Sequence, residues 1–299
     1  MPTLFPRQVA IAVLILVACT FAANHVAARF AFDHGTGLLL AILCRSGITL
    51  LLLAGLVVWQ RESLRLPPGT GRWQLLLGLL IAVQSLCLYS AVARIPVALA
   101  LLISNTFPIQ LALITWVLGG PPPSKRASAI MGVIFIGLVL VLDLPSRLAG
   151  VDGGDPRWWA GVAYAVVAAF VFAVGLWVTD HKLKPVRGPV RSFMTMAIVF
   201  GSMALAGAAG LVPGGLSWPQ GSAGWWGLGC LMLLYGAGFS TLFLTLPRLN
   251  MAENAPVMNI EPVASLLLGW LILNQTLAPI QMLGGVVVLS GIVWLARGR

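Results

Sequence analysis

Ten apolar runs, each about as long as a helix that crosses a lipid bilayer, leave this chain few ways to fold. They fall near residues 9–30, 38–59, 73–93, 97–118, 127–144, 158–178, 192–212, 225–246, 252–273 and 278–296. An α-helix rises about 1.5 Å per residue, so roughly 20 residues cover a hydrocarbon layer ~30 Å thick. Turn-forming clusters separate several runs: Pro67-Pro68-Gly69, Pro121-Pro122-Pro123, Asp152-Gly153-Gly154-Asp155-Pro156 and Pro213-Gly214-Gly215. Of 299 residues 59% are hydrophobic and 9% charged. A water-facing surface takes roughly a quarter charged residues, so most of the outside must meet lipid. The first run is too long for a cleavable signal and continues into polar Asn24 and His25, which makes it the first span.

The net charge of +10 does not indicate nucleic-acid binding. The basic residues lie between apolar runs, where they orient a membrane protein, and do not gather on one soluble face. With both termini in the cytoplasm, thirteen of the eighteen Lys and Arg residues fall on the cytoplasmic side, as the positive-inside bias requires. Arg29, Arg94, Arg147 and Arg157 fall outside, and Arg45 lies within the bilayer. A bacterial inner membrane, spanned many times, is the expected location. Trp59, Trp73, Trp158, Trp159, Trp225, Trp226 and Trp294 sit at expected helix ends, where an indole anchors at the headgroups.

Several chemistries find no support. Cys19, Cys44, Cys87 and Cys230 all lie in apolar stretches without CxxC spacing, and His25, His34 and His181 form no ligand pair. No phosphate loop or nucleophile elbow is present, so neither a metal nor a cofactor is expected and any driving force must come from gradients. A membrane enzyme would need a convergent acid, base or metal constellation. A passive channel would need a polar stripe along several helices, and the polar residues here are isolated.

At an offset of 154, residues 88–118 overlay residues 242–272 with seven identities in 31 positions. The informative ones are the rarer residues: Arg94 with Arg248, Asn105 with Asn259, Pro108 with Pro262, Trp116 with Trp270. Two halves, 1–150 and 151–299, therefore hold five spans each. Five is odd, so the second half enters the membrane from the opposite side and the repeat is inverted. In such folds the site lies near the midplane, where matched proline interruptions mark it; here these are Asn105-Thr106-Phe107-Pro108 and Asn259-Ile260-Glu261-Pro262. Each proline removes a backbone donor, which predicts unpaired carbonyls at Ser104 and Met258 and a kink at each break.

The pattern FAANHVAAR at 21–29, Arg45 in span two, and NIEPVASLLLGWLILNQ at 259–275 before a Gly-rich last span resemble the EamA type of the drug/metabolite transporter superfamily. The resemblance implies ten transmembrane helices as a 5+5 inverted repeat around a central cavity, without ATP. Within it the chain resembles the YddG-like exporters of aromatic and other neutral amino acids. One departure is the first-half loop LGGPPPS, where relatives carry an acidic residue after the Gly; the second copy reads LNQT.

A mid-membrane carboxylate costs on the order of 2.5–3.5 kcal/mol, so Glu261 is expected to turn inward, binding a cargo ammonium or a proton or else serving structure. Arg45, eighth in its span, is read as snorkelling or bound to a structural partner, with carboxylate capture the rival. Asn24, Gln84, Tyr89, Asn105 and Asn259 are candidates for the cargo's polar head, while Phe107, Phe172, Trp177 and Phe239 are candidates for its apolar part. Pro108 and Pro262 are the candidate hinges. His25 is given less weight as a lining residue. Gly132, Gly137, Gly284, Gly285 and Gly291 permit close helix approach, within the scaffold or at a dimer face. The expected partners are lipid and a small metabolite, amino acids first; drugs, nucleosides and other metabolites are the alternative cargo.

Overall fold

The computed structural model describes residues 5–120, 122–123, 125–141, 155–212, 214–245, 248–249 and 255–296. These form α1 (Arg7–Asp33), α2 (Leu38–Trp59), α3 (Gly71–Val92), α4 (Val97–Ser104), α5 (Phe107–Val117), α6 (Lys125–Val141), α7 (Pro156–Lys182), α8 (Gly188–Ala208), α9 (Gly221–Thr245), a 3-10 helix (Ala255–Ile260), α10 (Glu261–Leu273) and α11 (Pro279–Ala296). No strand occurs among the described residues. Seven of the spans are long and apolar enough to cross a membrane, and three further apolar helices are shorter. The shortest span is completed by its neighbour: six 3-10 residues and thirteen α-helical ones rise about 32 Å together.

Spans four and nine are broken, not merely kinked. α4 ends at Ser104 and α5 starts at Phe107, while the 3-10 helix ends at Ile260 and α10 starts at Glu261. Pro108 and Pro262 thereby stand at the first turn of a new helix, where a missing N–H costs nothing. At the first break side chains double the local backbone bonds: Asn105 Nδ2 donates to the Leu101 carbonyl at 2.9 Å and Thr106 Oγ1 to that of Ile103 at 2.7 Å, carbonyls that also accept the Asn105 and Thr106 N–H groups. The Asn105 amide thus serves Leu101, not Ser104. Every residue from Val97 to Ile103 is buried, whereas none of α5 is, so the break joins a core half-helix to a peripheral one.

The main helix pairings are preserved when the halves are exchanged. α1 lies against α9 as α7 lies against α3; α2 packs on α9 as α8 packs on α3. α1 meets α10 as α7 meets α5, and the pairs α2 with α8 and α6 with α11 map onto themselves. The 154-residue offset extends into this last pair: Gly137 receives Val288 of α11, and Gly291 receives Ile134 of α6. These glycines therefore serve the internal scaffold, while a Cβ on Gly132 would meet nothing within 4 Å. The chain is an all-α integral membrane protein of the 5+5 inverted-repeat kind.

Large apolar side chains are exposed along the outside of the described helices, for example Leu51, Phe135, Ile136, Val166, Phe170, Leu233 and Leu271. Trp59, Trp225, Trp226 and Trp294 are exposed as a headgroup belt requires, but Trp158 is buried. It packs with Ile95 and Val162 in the largest core cluster and edge-on to Trp159, so it is a core residue and the helix-end rule misplaces it. Two arginines expected on the less basic side are spoken for by backbone. Arg29 pairs with Asp33 at 2.9 Å and donates to the Val92 carbonyl at the end of α3. Arg94 donates to the Ser90 carbonyl and lies over the Tyr164 ring at 5.0 Å. Cations at helix C-termini offset the unpaired carbonyls there.

Candidate functional site

Where α1, α2, α3, α9 and α10 converge, polar side chains that the sequence scatters over more than two hundred residues come together. His25 Nε2 of α1 stands 3.5 Å from Glu261 Oε1 at the start of α10. The His25 ring meets Tyr89 of α3 edge-on at 6.1 Å. Tyr89 in turn covers the Arg45 guanidinium at 4.8 Å, and Tyr235 of α9 covers it from another side at 4.3 Å. Arg45 Nη2 donates to Ser85 Oγ at 2.6 Å. Arg45 is only 6% exposed, so it does not snorkel: the aromatic faces and the Ser85 hydroxyl hold it inside. A desolvated guanidinium over a ring is stabilised by about 2 kcal/mol, which explains the paired tyrosines.

Asn24 closes this cluster structurally. Its Nδ2 donates to the Leu231 carbonyl of α9 at 2.7 Å and its Oδ1 accepts from the Tyr89 hydroxyl at 3.5 Å, with no part of the residue exposed. It ties the first half to the second. Glu261 differs, since its side chain keeps 17% exposure. Three buried polar atoms near the cluster and the first break lack partners: His25 Nδ1, Arg45 Nε and Ser104 Oγ.

The aromatic candidates divide. Phe107 of α5 and Phe172 of α7 meet edge-on at 4.9 Å. Phe239 stacks with Tyr235 at 6.0 Å, and Phe21 of α1 joins Tyr235 at 5.9 Å, placing this group beside Arg45. Trp177 joins neither set. It stacks on His181 at 4.7 Å near the end of α7, with the Lys182 ammonium over its ring, which is a membrane-surface environment. Gln84 is half-buried on α3, one turn beyond Ile81, whose Cδ1 approaches Gly175 of α7. The Asn259 side chain lies outside the described residues.

Sequence reasoning passed over Ser85, Tyr235 and Phe21 and gave His25 too little weight. One signal was available: the chain has three tyrosines, and two of them sandwich its one deep arginine. A second omission is Gln275. Its Oε1 accepts the Val97 N–H, the first of α4, at 3.1 Å, so the LNQT loop of one half caps the broken span of the other. Among the described residues no three His, Cys, Asp or Glu side chains converge.

At the offset of 154, Phe107 and Glu261 are equivalent positions, each directly before a hinge proline. Phe107 meets Phe172 of α7, and Glu261 meets His25 of α1, with α1 and α7 themselves equivalent. One half thus offers an aromatic pair where the other offers a histidine against a carboxyl group.

A crystal structure of another protein superposes with a TM-score of 0.62 at 21% identity, covering 98% of this chain and 99% of that one, a likeness of fold. No curated protein sequence matches significantly. The EamA-like transporter family matches twice, over residues 8–143 and 159–297, the same two halves that the packing relates. The chain belongs to the EamA-like transporter family, multi-pass membrane transporters of small molecules.

Proposed function

We propose that this protein is a secondary transporter that exports small metabolites, aromatic and other neutral amino acids in particular, across a bacterial inner membrane with both termini in the cytoplasm. The observation that carries this reading is the unequal filling of the two equivalent hinge positions, Phe107 with Phe172 and Glu261 with His25. An amino acid with an apolar side chain presents that same division of chemistry. The repeats, 1–150 and 151–299, rock about Pro108 and Pro262. The breaks suit this movement, because a helix already interrupted has no continuous hydrogen-bond ladder to tear. Alternating access follows when the half-helices on one side of the breaks separate while those on the other close.

YddG-like specificity is the finer form of this reading, and the aromatic pair beside the hinge supports it. Reconstitution in liposomes tests it, with uptake of labelled Phe, Trp, Met, Thr and a nucleoside compared against protein-free vesicles. Phe and Trp are expected to enter fastest. Nucleoside flux without amino-acid flux would transfer the protein to the alternative cargo class on the same fold.

A further inference from the structure

Arg45 is a full positive charge about 10 Å down α2, and a guanidinium does not shed its proton in a protein. Among the described residues no carboxylate lies within ion-pair distance of it, the pairs formed being His25 with Glu261, Arg29 with Asp33 and Arg187 with Glu62. Its company is Tyr89, the Tyr235 ring and the Ser85 hydroxyl, and its Nε donates to nothing. A buried charge without a counter-ion is costly. The nearest carboxylate of the cluster, Glu261, sits behind the His25 and Tyr89 rings, linked by the 3.5 Å His25 contact, the 6.1 Å ring pair and the 4.8 Å guanidinium contact.

Two opposite charges in a low-dielectric core would neutralise each other best as a direct pair. Arg45 and Glu261 form no such pair: the His25 and Tyr89 rings link them, and Arg45 Nε and His25 Nδ1 are left as buried polar atoms without partners. A ligand carrying both charges completes both groups at once. We propose that Arg45 is the receptor for the cargo carboxylate and Glu261 the receptor for its ammonium, so that the site selects zwitterionic α-amino acids over amines and over carboxylic acids with the same side chain. This assignment rests on the amino-acid reading above and narrows it. The planar guanidinium fork suits a carboxylate, and its Nε edge is the part left without an acceptor. Tyr235, half-buried on α9 of the second half, covers Arg45 of the first. Relative movement of the halves therefore uncovers the guanidinium when cargo enters.

The experiment uses the full chain in proteoliposomes, labelled L-phenylalanine as cargo, and phenethylamine and 3-phenylpropanoate as competitors against unlabelled L-phenylalanine. Phenethylamine lacks the carboxylate and 3-phenylpropanoate lacks the ammonium. Each is expected to compete at least about tenfold more weakly than phenylalanine, because each leaves one buried charge unpaired. In Arg45→Gln, the preference for phenylalanine over phenethylamine is expected to fall to about unity, while the preference over 3-phenylpropanoate persists. Equal competition by phenethylamine and phenylalanine in the unaltered protein overturns the Arg45 assignment whether or not the variant folds, and an unchanged preference in a folded Arg45→Gln overturns it too. Nucleoside uptake without any phenylalanine uptake overturns the amino-acid reading itself, a different failure.

Discussion

Alanine at Gly291 puts the pseudo-symmetric contact between the halves to a quantitative test. A Cβ there would lie 2.5 Å from Ile134 Cγ1 and 3.2 Å from its Cδ1, whereas carbon atoms settle about 3.5–4.0 Å apart. Ile134 is wholly buried, and a β-branched side chain has little freedom to turn away. Relieving such an overlap costs about 1–3 kcal/mol, against a gain of up to ~1 kcal/mol from replacing a helical glycine. The net loss of up to about 2 kcal/mol corresponds to a drop of up to roughly 3 °C in melting temperature for a chain of this size. The control is Gly132→Ala on α6, where a Cβ meets nothing within 4 Å and stability is expected to hold or rise. Detergent-solubilised protein, heated at one fixed rate because such unfolding is irreversible, supplies the comparison. Ile134→Ala alone creates a cavity costing about 2–5 kcal/mol, but combined with Gly291→Ala the loss should be about 1 kcal/mol less than the sum. Equal melting temperatures for the two alanine variants, or strict additivity in the double variant, would refute the interlocked pair.

Gln275→Ala leaves the buried Val97 N–H without its acceptor and is expected to cost about 1–3 kcal/mol, whereas Gln275→Glu, which keeps an acceptor, should melt close to the unaltered protein. If both variants melt alike, the cross-half cap contributes nothing. Phe107→Ala removes a ring proposed to face the cargo side chain; an aromatic contact with the cargo is worth about 0.5–1.5 kcal/mol beyond its area, so the KM for phenylalanine should rise about three- to tenfold while that for threonine changes less than about twofold. Equal changes for the two cargoes would remove Phe107 from the tail pocket. Glu62→Ala breaks the 2.7 Å bridge to Arg187, whose side chain is 74% exposed; screened pairs of this kind contribute about 0–1 kcal/mol, so the melting temperature should move by no more than about 3 °C, and a larger drop would show that the loops carry stability the pair alone does not explain.

The scaffold could be read from the sequence because its determinants are local or periodic. Apolar length marks the spans, and Pro108 and Pro262 dictate helix starts by covalent geometry alone. The same 154-residue offset that aligns the prolines also relates Gly137 to Gly291, so one register carries both the breaks and the final interlock. Arg45 shows where such reasoning stops. Seven residues from the start of its helix, it is placed for snorkelling, and only the folded chain reveals Tyr235, 190 positions away, over its guanidinium. The site is hidden for a deeper reason as well. A duplicated sequence displays the positions at which its halves agree, and those are the residues that shape backbone: Asn105 with Asn259, Pro108 with Pro262. A cargo with a charged head and an apolar tail needs the halves to differ. At Phe107 and Glu261 comparison of the repeats returns only a mismatch, and it takes the folded chain to set the one against Phe172 and the other against His25.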